Sequence, residues 1–489
     1  MAASLADHPL GVVAAGHPAT VAAAVDTLRA GGNAYDAAVA AGMAASVAEP
    51  GLSSLGGGGF LLARTADSQE IVFDFFVDTP GRGRHDDTPA PRLRPETVRF
   101  KGAGQVFHVG HGSVAVPGCL PGYLHVHQRL GRLPLAEVVA PAITLARDGV
   151  VLGPQQAGVV RLLEPILTSS AEGRERYLVD GAPFDDEAVM TNPALARFLD
   201  AIADGEVTGF DEPALADRIA ADMVEHGGAV TAEDLRRYRV IERRPLAAQH
   251  RGGRLVTNPP PSYGGTLIVR ALNALSSLGA PLPPAGSGRT LVHLAEVLDE
   301  VTRYHTTPQL RSAKGTTQVS IADREGNLAS MTTSNGSCSG VILPGTGVMA
   351  NNIMGEEDLH PAGFHTAEPG ERVGSMMSPS ILLPPDGPPV VLGSGGSERI
   401  RSALTQVLVA LLDHDLPLER AVLGPRIHWD GSTVQVEPGF DPAAVAYLAQ
   451  HRPVNEWTES DLYFGGVHAV RPTGERVGDP RRGGSTGLA

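Results

Sequence analysis

Residues 316–335 read TTQVSIADREGNLASMTTSN. Polar and apolar residues alternate along both halves of this stretch, as they do in a strand with one apolar face. The four residues between the halves, Arg324–Asn327, are typical of a tight turn. The stretch therefore predicts two antiparallel strands joined as a β-hairpin, with Thr316 at the start of the first strand.

Thr316 is a candidate nucleophile, although a threonine hydroxyl reacts poorly unless a base lies beside it. Cleavage of the bond between Gly315 and Thr316 would supply that base, because an α-amino group has a pKa of about 8 and suits proton transfer near neutral pH. A strand would hold the amine and the hydroxyl rigidly together. By composition alone, however, Thr316 is one threonine among many.

The N-terminal region predicts a strand and two helices made largely of small residues. The strand is Gly11–Ala15, and the helical patterns cover Ala19–Ala30 and Asn33–Ala48, with Asn33 as a cap. Glycines 56–59 then lead into a predicted strand, Phe60–Ala63. A dinucleotide-binding fingerprint needs the reverse order, strand then glycines then helix, so nucleotide binding is not expected here.

The remainder of the chain changes from helical to hairpin patterns. Residues 80–112 are rich in Pro, Gly and charge and predict a loop, whereas helical patterns continue from 133 to about 237 and recur over 267–304. A second hairpin is predicted at 464–479. Because strands and helices do not alternate regularly, the pattern favours an α/β or α+β fold with stacked layers and disfavours a TIM barrel.

The composition excludes several classes of protein. Of 489 residues, 42% are hydrophobic and 19% are charged, which is typical of a globular chain. The net charge is -15 and no stretch is rich in both Arg and aromatic residues, so neither a nucleic acid nor an anionic membrane is an expected partner. No secretory signal or bilayer-length apolar segment is apparent, and two cysteines are too few for a disulfide framework. We expect a soluble, cytoplasmic protein.

A metal site is not expected from histidine spacing. His108 and His111 lie three residues apart, and His125 and His127 lie two apart. Neither pair has the glutamate of an HExxH motif or an accompanying cysteine pair. Scattered histidines of this kind are usually surface or packed residues.

Cys338 is a second candidate nucleophile. It lies at the centre of the sequence GSCSG, residues 336–340, which has the shape of a nucleophile elbow. An elbow needs a helix directly after it, and Pro344 would interrupt that helix at its start. A buried, unreactive thiol is therefore the favoured interpretation, with a cysteine hydrolase as the alternative.

A series of short motifs runs along nearly the whole chain. In order they are GGNAYDAAVAAGMAASVAEP, LGGGGFLL, SVAVPG, PLAEVVAPAITLARDG, NPPPSYGG, TTQVSIADREGNLASMTT, PGTGVMANN, SMMSPSILL, LGSGGSERI and DPRRGGS. Each motif alone is weak, but so many in this order are hard to obtain by chance. In these motifs the chain resembles the gamma-glutamyltranspeptidase family of N-terminal-nucleophile hydrolases.

The resemblance implies a four-layer αββα sandwich and a precursor that cleaves itself. Cleavage at Gly315–Thr316 would give a large-subunit segment 1–315 and a small-subunit segment 316–489, intertwined in one structural domain. This heterodimer could pair further into a homo-oligomer. Thr316 would attack an amide carbonyl, form an acyl-enzyme and pass the acyl group to water or an amine. No cofactor is implied, because acyl transfer needs only a nucleophile, a base and oxyanion donors.

The resemblance also assigns catalytic roles to residues other than Thr316. The loop LGSGGSERI would donate to an oxyanion through the backbone amides of Gly396 and Ser397, or of Gly395 and Gly396 if the match contains a one-residue gap. Bare glycine backbone can approach a developing oxyanion closely. Ser334 falls where the family keeps a threonine whose hydroxyl orients the nucleophile, and a serine can do the same.

Substrate recognition departs from the pattern of the family. Phe76 stands where an arginine would hold the substrate α-carboxylate, and of the paired serines that also hold it, Ser375 remains and Met376 replaces the other. A phenyl ring cannot replace a bidentate guanidinium clamp on a carboxylate. The retained matches to substrate-binding residues are Asn335 and Glu356, with Glu357 as a near alternative.

These features together predict a small-molecule amide hydrolase or acyltransferase that uses water or an amine as acceptor. Its acyl group would lack a free α-carboxylate, or would bind that carboxylate differently, for example through Arg82 or Arg84. A specialised step in small-molecule metabolism is compatible with this divergence. The alternatives are a true glutathione hydrolase or transpeptidase, an unprocessed binding homologue without catalysis, and the Cys338 hydrolase.

Overall fold

The structure is a computed structural model that describes residues 9–85, 87–100, 103–179, 181–278, 281–304, 315–360 and 362–489. Two large sheets lie face to face, and each is covered on its outer side by helices. The bounds of the elements within these ranges are given next.

The helices are α1 Pro18–Arg29, α2 Ala34–Ala48, α3 Cys119–Leu130, α4 Leu135–Asp148, α5 Gly153–Leu162, α6 Glu164–Leu167, α7 Ala171–Tyr177, α8 Pro193–Ala203, α9 Pro213–His226, α10 Ala232–Arg237, α11 Tyr263–Ser277, α12 Gly288–Tyr304, α13 Arg399–Leu412, α14 Leu418–Leu423 and α15 Pro442–Ala449. The strands are β1 Gly11–Ala15, β2 Gly58–Arg64, β3 Glu70–Phe75, β4 Arg94–Phe100, β5 Ala103–Val109, β6 Val150–Val151, β7 Leu178–Val179, β8 Ala182–Pro183, β9 Val189–Met190, β10 Ile241–Arg243, β11 Leu246–His250, β12 Gly253–Thr257, β13 Gly315–Asp323, β14 Leu328–Gly336, β15 Ile342–Leu343, β16 Val348–Met349, β17 Ser380–Leu383, β18 Val390–Gly395, β19 Ile427–Trp429, β20 Val434–Val436, β21 Val454–Glu456, β22 Gly466–Val470, β23 Arg476–Val477 and β24 Ser485–Leu488. Short 3₁₀ turns cover His111–Ser113, Ile353–Gly355, Glu357–Leu359, Leu462–Phe464 and Pro480–Arg482.

The predicted hairpin lies near the middle of the larger, seven-stranded sheet. The strand order is β10-β3-β2-β14-β13-β1-β24, and every neighbouring pair is antiparallel. β13 pairs with β14 so that Thr316 lies opposite Ser334, with a shift in register between Gly315 and Thr316. Every residue of both strands is buried, so both faces of the hairpin are covered.

Side chains alternate between two environments along this sheet. Val319 and Ile321 belong to the apolar core beneath α1–α4, whereas the side chains of Gln318 and Ser320 point between the two sheets. Thr316 belongs to the second set, because it is two residues from Gln318. The start of β13 therefore presents Thr316 to the space between the sheets.

The second sheet has six strands in the order β11-β12-β17-β18-β22-β23. It packs over β13 and β14 through β18 and β22. Hydroxyl groups link the two sheets directly: Ser320 donates to the carbonyl of His468 at 2.9 Å, and Ser330 donates to the carbonyl of Leu392 at 2.9 Å. These bonds satisfy the polar inner face of the hairpin and fix how the sheets stack.

Helices complete the outer layers. α2 is buried along its whole length between the seven-stranded sheet and the helices α1, α3 and α4, and Asn33 with Asp36 forms its capping box. α11 and α13 cover the six-stranded sheet, with α12 packed on α11. The result is the four-layer αββα sandwich that the resemblance implied, and that prediction is confirmed.

Both sides of residue 315 contribute to the seven-stranded sheet. β1, β2, β3 and β10 precede it, and β14 and β24 follow it, with β13 beginning at Gly315 itself. A cut at Gly315–Thr316 would leave these strands paired, because the ladder hydrogen bonds do not depend on that peptide bond.

The prediction of a loop over 80–112 is wrong, because the region contains the hairpin β4–β5. This hairpin belongs to neither large sheet. Its first strand, RPETVRF, carries two arginines and a glutamate, so it lacks the apolar alternation that signals a strand buried on one face.

The polar stretch before Thr316 lies outside the described residues over 305–314. No helix in the described ranges is long and apolar enough to cross a membrane.

A buried ionic cluster anchors the C-terminal segment against the six-stranded sheet. Asp479 pairs with Arg426 at 2.6 Å and with Arg481 at 3.1 Å, and it accepts from the backbone amide of Val467 at 3.0 Å. Arg481 also pairs with Glu437 at 2.6 Å. Burial alone would raise the pKa of Asp479, but the neighbouring guanidinium groups outweigh it and lower that pKa below its ordinary value.

We expect Asp479→Ala to lower the free energy of unfolding by about 3–5 kcal/mol, because it removes the carboxylate that pairs with the buried Arg426. Denaturant titration measures this loss. Asp217→Ala is the control, since it removes an exposed ion pair with Arg236 at 2.6 Å, whose aspartate is 65% exposed. That variant should change the free energy by about 1 kcal/mol at most.

The wild type and Asp479→Ala also test how the contribution of Asp479 to the free energy of unfolding depends on pH. A carboxyl whose folded pKa is depressed stabilises the protein above its unfolded pKa of about 4 and loses that contribution as the pH falls through the folded value. The difference in the free energy of unfolding between the wild type and Asp479→Ala should therefore be largest at neutral pH and should decrease below about pH 4. A difference that increases on acidification would contradict the lowered pKa of Asp479.

Candidate active site

A small cleft opens at the start of β13, between the two sheets. Its lining combines a few polar groups with an apolar wall. The residues are Phe76, Thr316, Ser334, Ile353, Glu356, Asp358, Leu359, Ser375, Met376, Met377, Ser397 and Ile400. Most of the residues predicted from the sequence are thus brought together around Thr316, although they come from distant parts of the chain.

Ser334 links the candidate nucleophile to the bond that is predicted to be cut. The Thr316 hydroxyl donates to Ser334 Oγ at 3.5 Å, and Ser334 Oγ donates to the carbonyl oxygen of Gly315 at 2.5 Å. The backbone amide of Gly336 in turn donates to Ser334 Oγ at 3.0 Å. This series of hydrogen bonds orients the Ser334 hydroxyl so that it polarises the Gly315 carbonyl.

Gly315 is confined in a way that admits no side chain. A Cβ at this position would lie 2.3 Å from the carbonyl oxygen of Gly51 and 2.5 Å from that of Gly336. Both contacts are with backbone, which cannot move aside as a flexible side chain can. The residue before Thr316 must therefore be glycine if β13 is to begin here.

The loop Gly395–Ser397 joins β18 to α13 beside Thr316. Gly396 has φ +122° and Ser397 has φ +53°, and the second is a conformation that a serine adopts only under constraint. A Cβ at Gly395 would lie 2.4 Å from the Thr316 carbonyl oxygen, so only glycine allows this approach. The loop lies at the N-terminal end of α13, where the helix dipole favours negative charge.

The two amides predicted as oxyanion donors, those of Gly396 and Ser397, lie in this turn. Among the hydrogen bonds of the described residues, neither N–H donates to another group of the chain. The Ser397 hydroxyl donates to Asp358 Oδ2 at 3.3 Å, which ties the turn to the opposite wall of the cleft. The arrangement can accept a developing negative charge without disrupting an existing bond.

Arg482 lies behind Thr316 and was not singled out from the sequence. It is buried, and its guanidinium donates to the Thr316 carbonyl and to the Leu462 carbonyl, at 3.4 Å each. Burial lowers the pKa of Arg482 to about 10, so the group remains a cation at neutral pH. A cation at this distance would disfavour protonation of an amine formed at Thr316.

One wall of the cleft is apolar at the position where the sequence resemblance predicts a guanidinium. Phe76 stacks on Phe60 with ring centroids 5.6 Å apart, and Met376 and Met377 lie beside it in the cleft. The lining residues that the structure describes include no arginine and no lysine. A carboxylate in this part of the cleft would lose water without gaining a cation.

The arginines considered as substitutes do not reach the cleft. Arg82 donates to the carbonyl of Gly370 at 3.2 Å, and Arg84 donates to the carbonyls of Gly228 and Pro89 at 2.7 and 2.6 Å. Neither is among the described lining residues. The suggestion that either one holds a substrate carboxylate is therefore not supported by their positions.

Arg372 contacts the carboxylates on either side of Phe76 in the sequence. It is held by Asp74 and Asp78 at 2.7 Å each, and its guanidinium lies 5.0 Å from the centre of the Tyr238 ring. Burial would lower its pKa, but Tyr238 and the two carboxylates outweigh that effect and raise it. Arg372 thus serves as a structural clamp between the strand and the segment that carries Ser375.

The prediction for Asn335 does not fit the geometry. Alternate residues of a strand face opposite sides, so Ser334 points into the cleft and Asn335 points away from it. The Asn335 amide donates to the carbonyls of Met349 and Ala350 at 3.4 Å each. It is a buried structural residue of the outer face.

The acidic residues of the cleft are Glu356 and Asp358. Glu357, the near alternative, has a 47% exposed side chain and lies 3.7 Å from His108 Nδ1, outside the lining. Asp358 was missed, and its only signal in the sequence is its place in the run Glu356–Asp358. The 3₁₀ turn Glu357–Leu359 explains the difference, because it turns Glu357 outward and Asp358 inward.

Cys338 lies in the core beneath the outer helices and does not line the cleft. Burial raises the pKa of its thiol to about 11, against a smaller lowering effect of the Asn335 amide. The next element is the short strand β15, so the helix that a nucleophile elbow needs does not follow. The favoured interpretation of a buried, unreactive thiol agrees with this environment.

Comparison with known proteins gives one consistent family. The sequence model described as "Gamma-glutamyltranspeptidase" matches residues 20–303 and 287–488. The chain is 32% identical to the acylase ACY 1 proenzyme of a Pseudomonas species, over 96% of this chain and 91% of the relative. It is 27% identical to the glutathione hydrolase proenzyme of Escherichia coli, over 90% of this chain and 86% of the relative.

A solved structure agrees along almost the whole chain. The cephalosporin acylase from Bacillus halodurans superposes with a TM-score of 0.83 at 25% identity, over 98% of this chain and 96% of that chain. The gamma-glutamyltranspeptidase of Helicobacter pylori superposes with a TM-score of 0.51 at 27% identity, over 58% of this chain and 80% of that chain. The acylase therefore shares this fold over almost the whole chain, and the transpeptidase matches it over part of the chain.

We expect both cysteines of the native protein to resist a thiol reagent at pH 8. Burial raises the pKa of Cys338 to about 11 and that of Cys119 to about 12, and only the thiolate reacts. Absorbance of the released reporter measures the reaction, and denaturation should expose both thiols. Fast labelling of the native protein would contradict this expectation. If Cys338→Ser abolished that labelling and Cys119→Ser did not, Cys338 would be the reactive thiol.

Proposed function

The chain belongs to the gamma-glutamyltranspeptidase family, and on that premise we propose a self-processing threonine hydrolase for amides whose acyl group lacks a free α-carboxylate. The observation that carries the proposal is the cleft itself. It combines Thr316, Ser334 and Ser397 of the glycine turn with an apolar wall at Phe76, and its described lining holds no cation.

Processing would begin from the arrangement of the intact chain. Thr316 Oγ1 would attack the Gly315 carbonyl carbon, whose oxygen already accepts from Ser334. The hydroxyl proton passes to the Thr316 nitrogen as the C–N bond breaks, so the amide becomes an ester, and water then hydrolyses that ester. The products are a carboxylate at Gly315 and a free α-amino group at Thr316, in two segments that remain paired through the sheet.

Turnover would use the new amine as the base. It takes the proton of Thr316 Oγ1 while that oxygen attacks the substrate carbonyl, and the amides of Gly396 and Ser397 donate to the oxyanion. The proton passes to the leaving amine, and an acyl ester remains on Thr316. Water or an amine then attacks the ester by the same route in reverse. Arg482 supports this cycle, because its charge favours the neutral form of the amine.

The substrate class follows from the electrostatics of the cleft. Glu356 and Asp358 suit an amino group of the acyl part, and Phe76 with the methionines suits apolar atoms. A free α-carboxylate would face the aromatic wall and the two acidic residues. Turnover of glutathione is the second candidate, which the retained position of Glu356 favours. A cytoplasmic location and further pairing of heterodimers remain predictions.

We expect the wild type to separate under denaturing conditions into two fragments, cut between Gly315 and Thr316. Thr316→Ala should stay one chain, because it lacks the attacking oxygen. Intact-mass measurement distinguishes the two results. Thr317→Ser is the matched control, since the neighbouring side chain points to the opposite face of β13. A wild-type chain that remains whole after long incubation would contradict the free-amine mechanism.

We expect a clear preference between two anilides that differ only in the α-carboxylate. The 4-aminobutyryl anilide should show a kcat/KM about tenfold or more above that of the γ-glutamyl anilide, because a buried carboxylate without a partner is costly. The butyryl anilide, which also lacks the amine, reports the contribution of Glu356. Release of the aniline measures all three rates. Faster turnover of the γ-glutamyl anilide would favour the glutathione alternative.

A further inference from the structure

Three side chains outside the cleft form a cluster of metal-ligand type. His111 Nε2 lies 3.1 Å from Asp222 Oδ2, and His226 Nδ1 lies 3.2 Å from Asp222 Oδ1. The two imidazole rings stack with centroids 4.6 Å apart and planes 18° apart. Two imidazoles thus converge on one carboxylate at the surface of the molecule.

The fold brings these side chains together from two elements. Asp222 and His226 lie four residues apart on α9, so they occupy the same face of the helix one turn apart. His111 begins the 3₁₀ turn that follows β5. Its nearest histidine in sequence, His108, lies instead against the ring of Phe364, so the three-residue spacing of these two histidines does not bring them into one cluster.

We propose that His111, Asp222 and His226 form a binding site for a divalent transition-metal ion, with Zn²⁺ as the natural occupant. Two imidazole nitrogens and one carboxylate oxygen are a ligand set that Zn²⁺ accepts in tetrahedral geometry, with water as the fourth ligand. Calcium and magnesium prefer oxygen ligands alone and fit the set poorly.

Closure around an ion requires the three ligand atoms to draw together, and His226 Nδ1 also lies 3.0 Å from the backbone carbonyl oxygen of Asp222. One ligand atom from each residue can be chosen so that all three lie within 4.8 Å of one another. Zinc bonds of about 2.0–2.1 Å place two tetrahedral ligand atoms about 3.3 Å apart. The His226 side chain is 49% exposed and can rotate toward the other two, whereas His111 and Asp222 are held in partly buried positions.

A bound ion would connect α9 to a segment that supports the cleft. The turn at His111–Ser113 packs against the turn Ile353–Gly355, and Ile353 lines the cleft. The backbone amide of Gly110, directly before His111, donates to the carbonyl of Ser339 at 2.9 Å. The ion would therefore stabilise the fold, and its binding does not depend on amide hydrolysis.

Isothermal titration of ZnCl₂ into the full-length protein, stripped with a chelator and free of affinity tags, tests this site. We expect one ion per chain, with His226→Ala weakening the affinity by about tenfold or more, since even outer partners of a metal ligand contribute that much. Zn²⁺ should also raise the thermal midpoint of the wild type and not that of His226→Ala.

The matched control is His125→Ala. His125 pairs with Glu242 at 3.1 Å and has a side chain 37% exposed, but this ion pair includes no second histidine. Its removal should leave Zn²⁺ binding unchanged. Absence of saturable binding, or equal binding by the wild type and His226→Ala, would overturn the proposal. Equal losses of Zn²⁺ affinity in His226→Ala and His125→Ala would show non-specific surface binding and would also overturn the proposal.

Discussion

The pairing of β13 with β14 at the centre of the seven-stranded sheet is the constraint on which the site depends. It sets Thr316 opposite Ser334 and turns both side chains into the space between the sheets. The close approach of backbone at Gly315 and Gly395 leaves no room for a side chain at either position. A change that shifted this register by one residue would send Thr316 to the outer core instead.

The surroundings of Thr316 are polar and strongly buried. A buried ionic network stabilises them on the side away from the cleft. Asp479 holds Arg426 and Arg481, and the adjoining Arg482 reaches the carbonyl of Thr316. Such a network is costly to bury and strongly destabilising to break. It places a cation behind the nucleophile while the cleft in front remains apolar at Phe76 and acidic at Glu356. The cation therefore lies behind the strand end, whereas Phe76 and Glu356 share the cleft with Thr316 itself.

Much of the fold was predictable because its signals are local. The strand Gly11–Ala15 and the helix starting at Asn33 follow from alternation, periodicity and capping, and the hairpin follows from its turn. The hairpin β4–β5 was not predicted, because strands outside the two large sheets need no apolar face. Asn335 was misplaced because a linear match does not show on which face of β14 a residue lies.

The sequence by itself determined the strand that carries Thr316, the glycines beside it and an aromatic residue at position 76, since each of these lies in a short stretch of residues. Only the tertiary structure decided which distant groups share the cleft. Arg482 meets Thr316 across 166 residues and His111 meets Asp222 across 111, and Asp358 meets Ser397 across 39. No periodicity records such contacts, because they arise when layers pack and not when elements form.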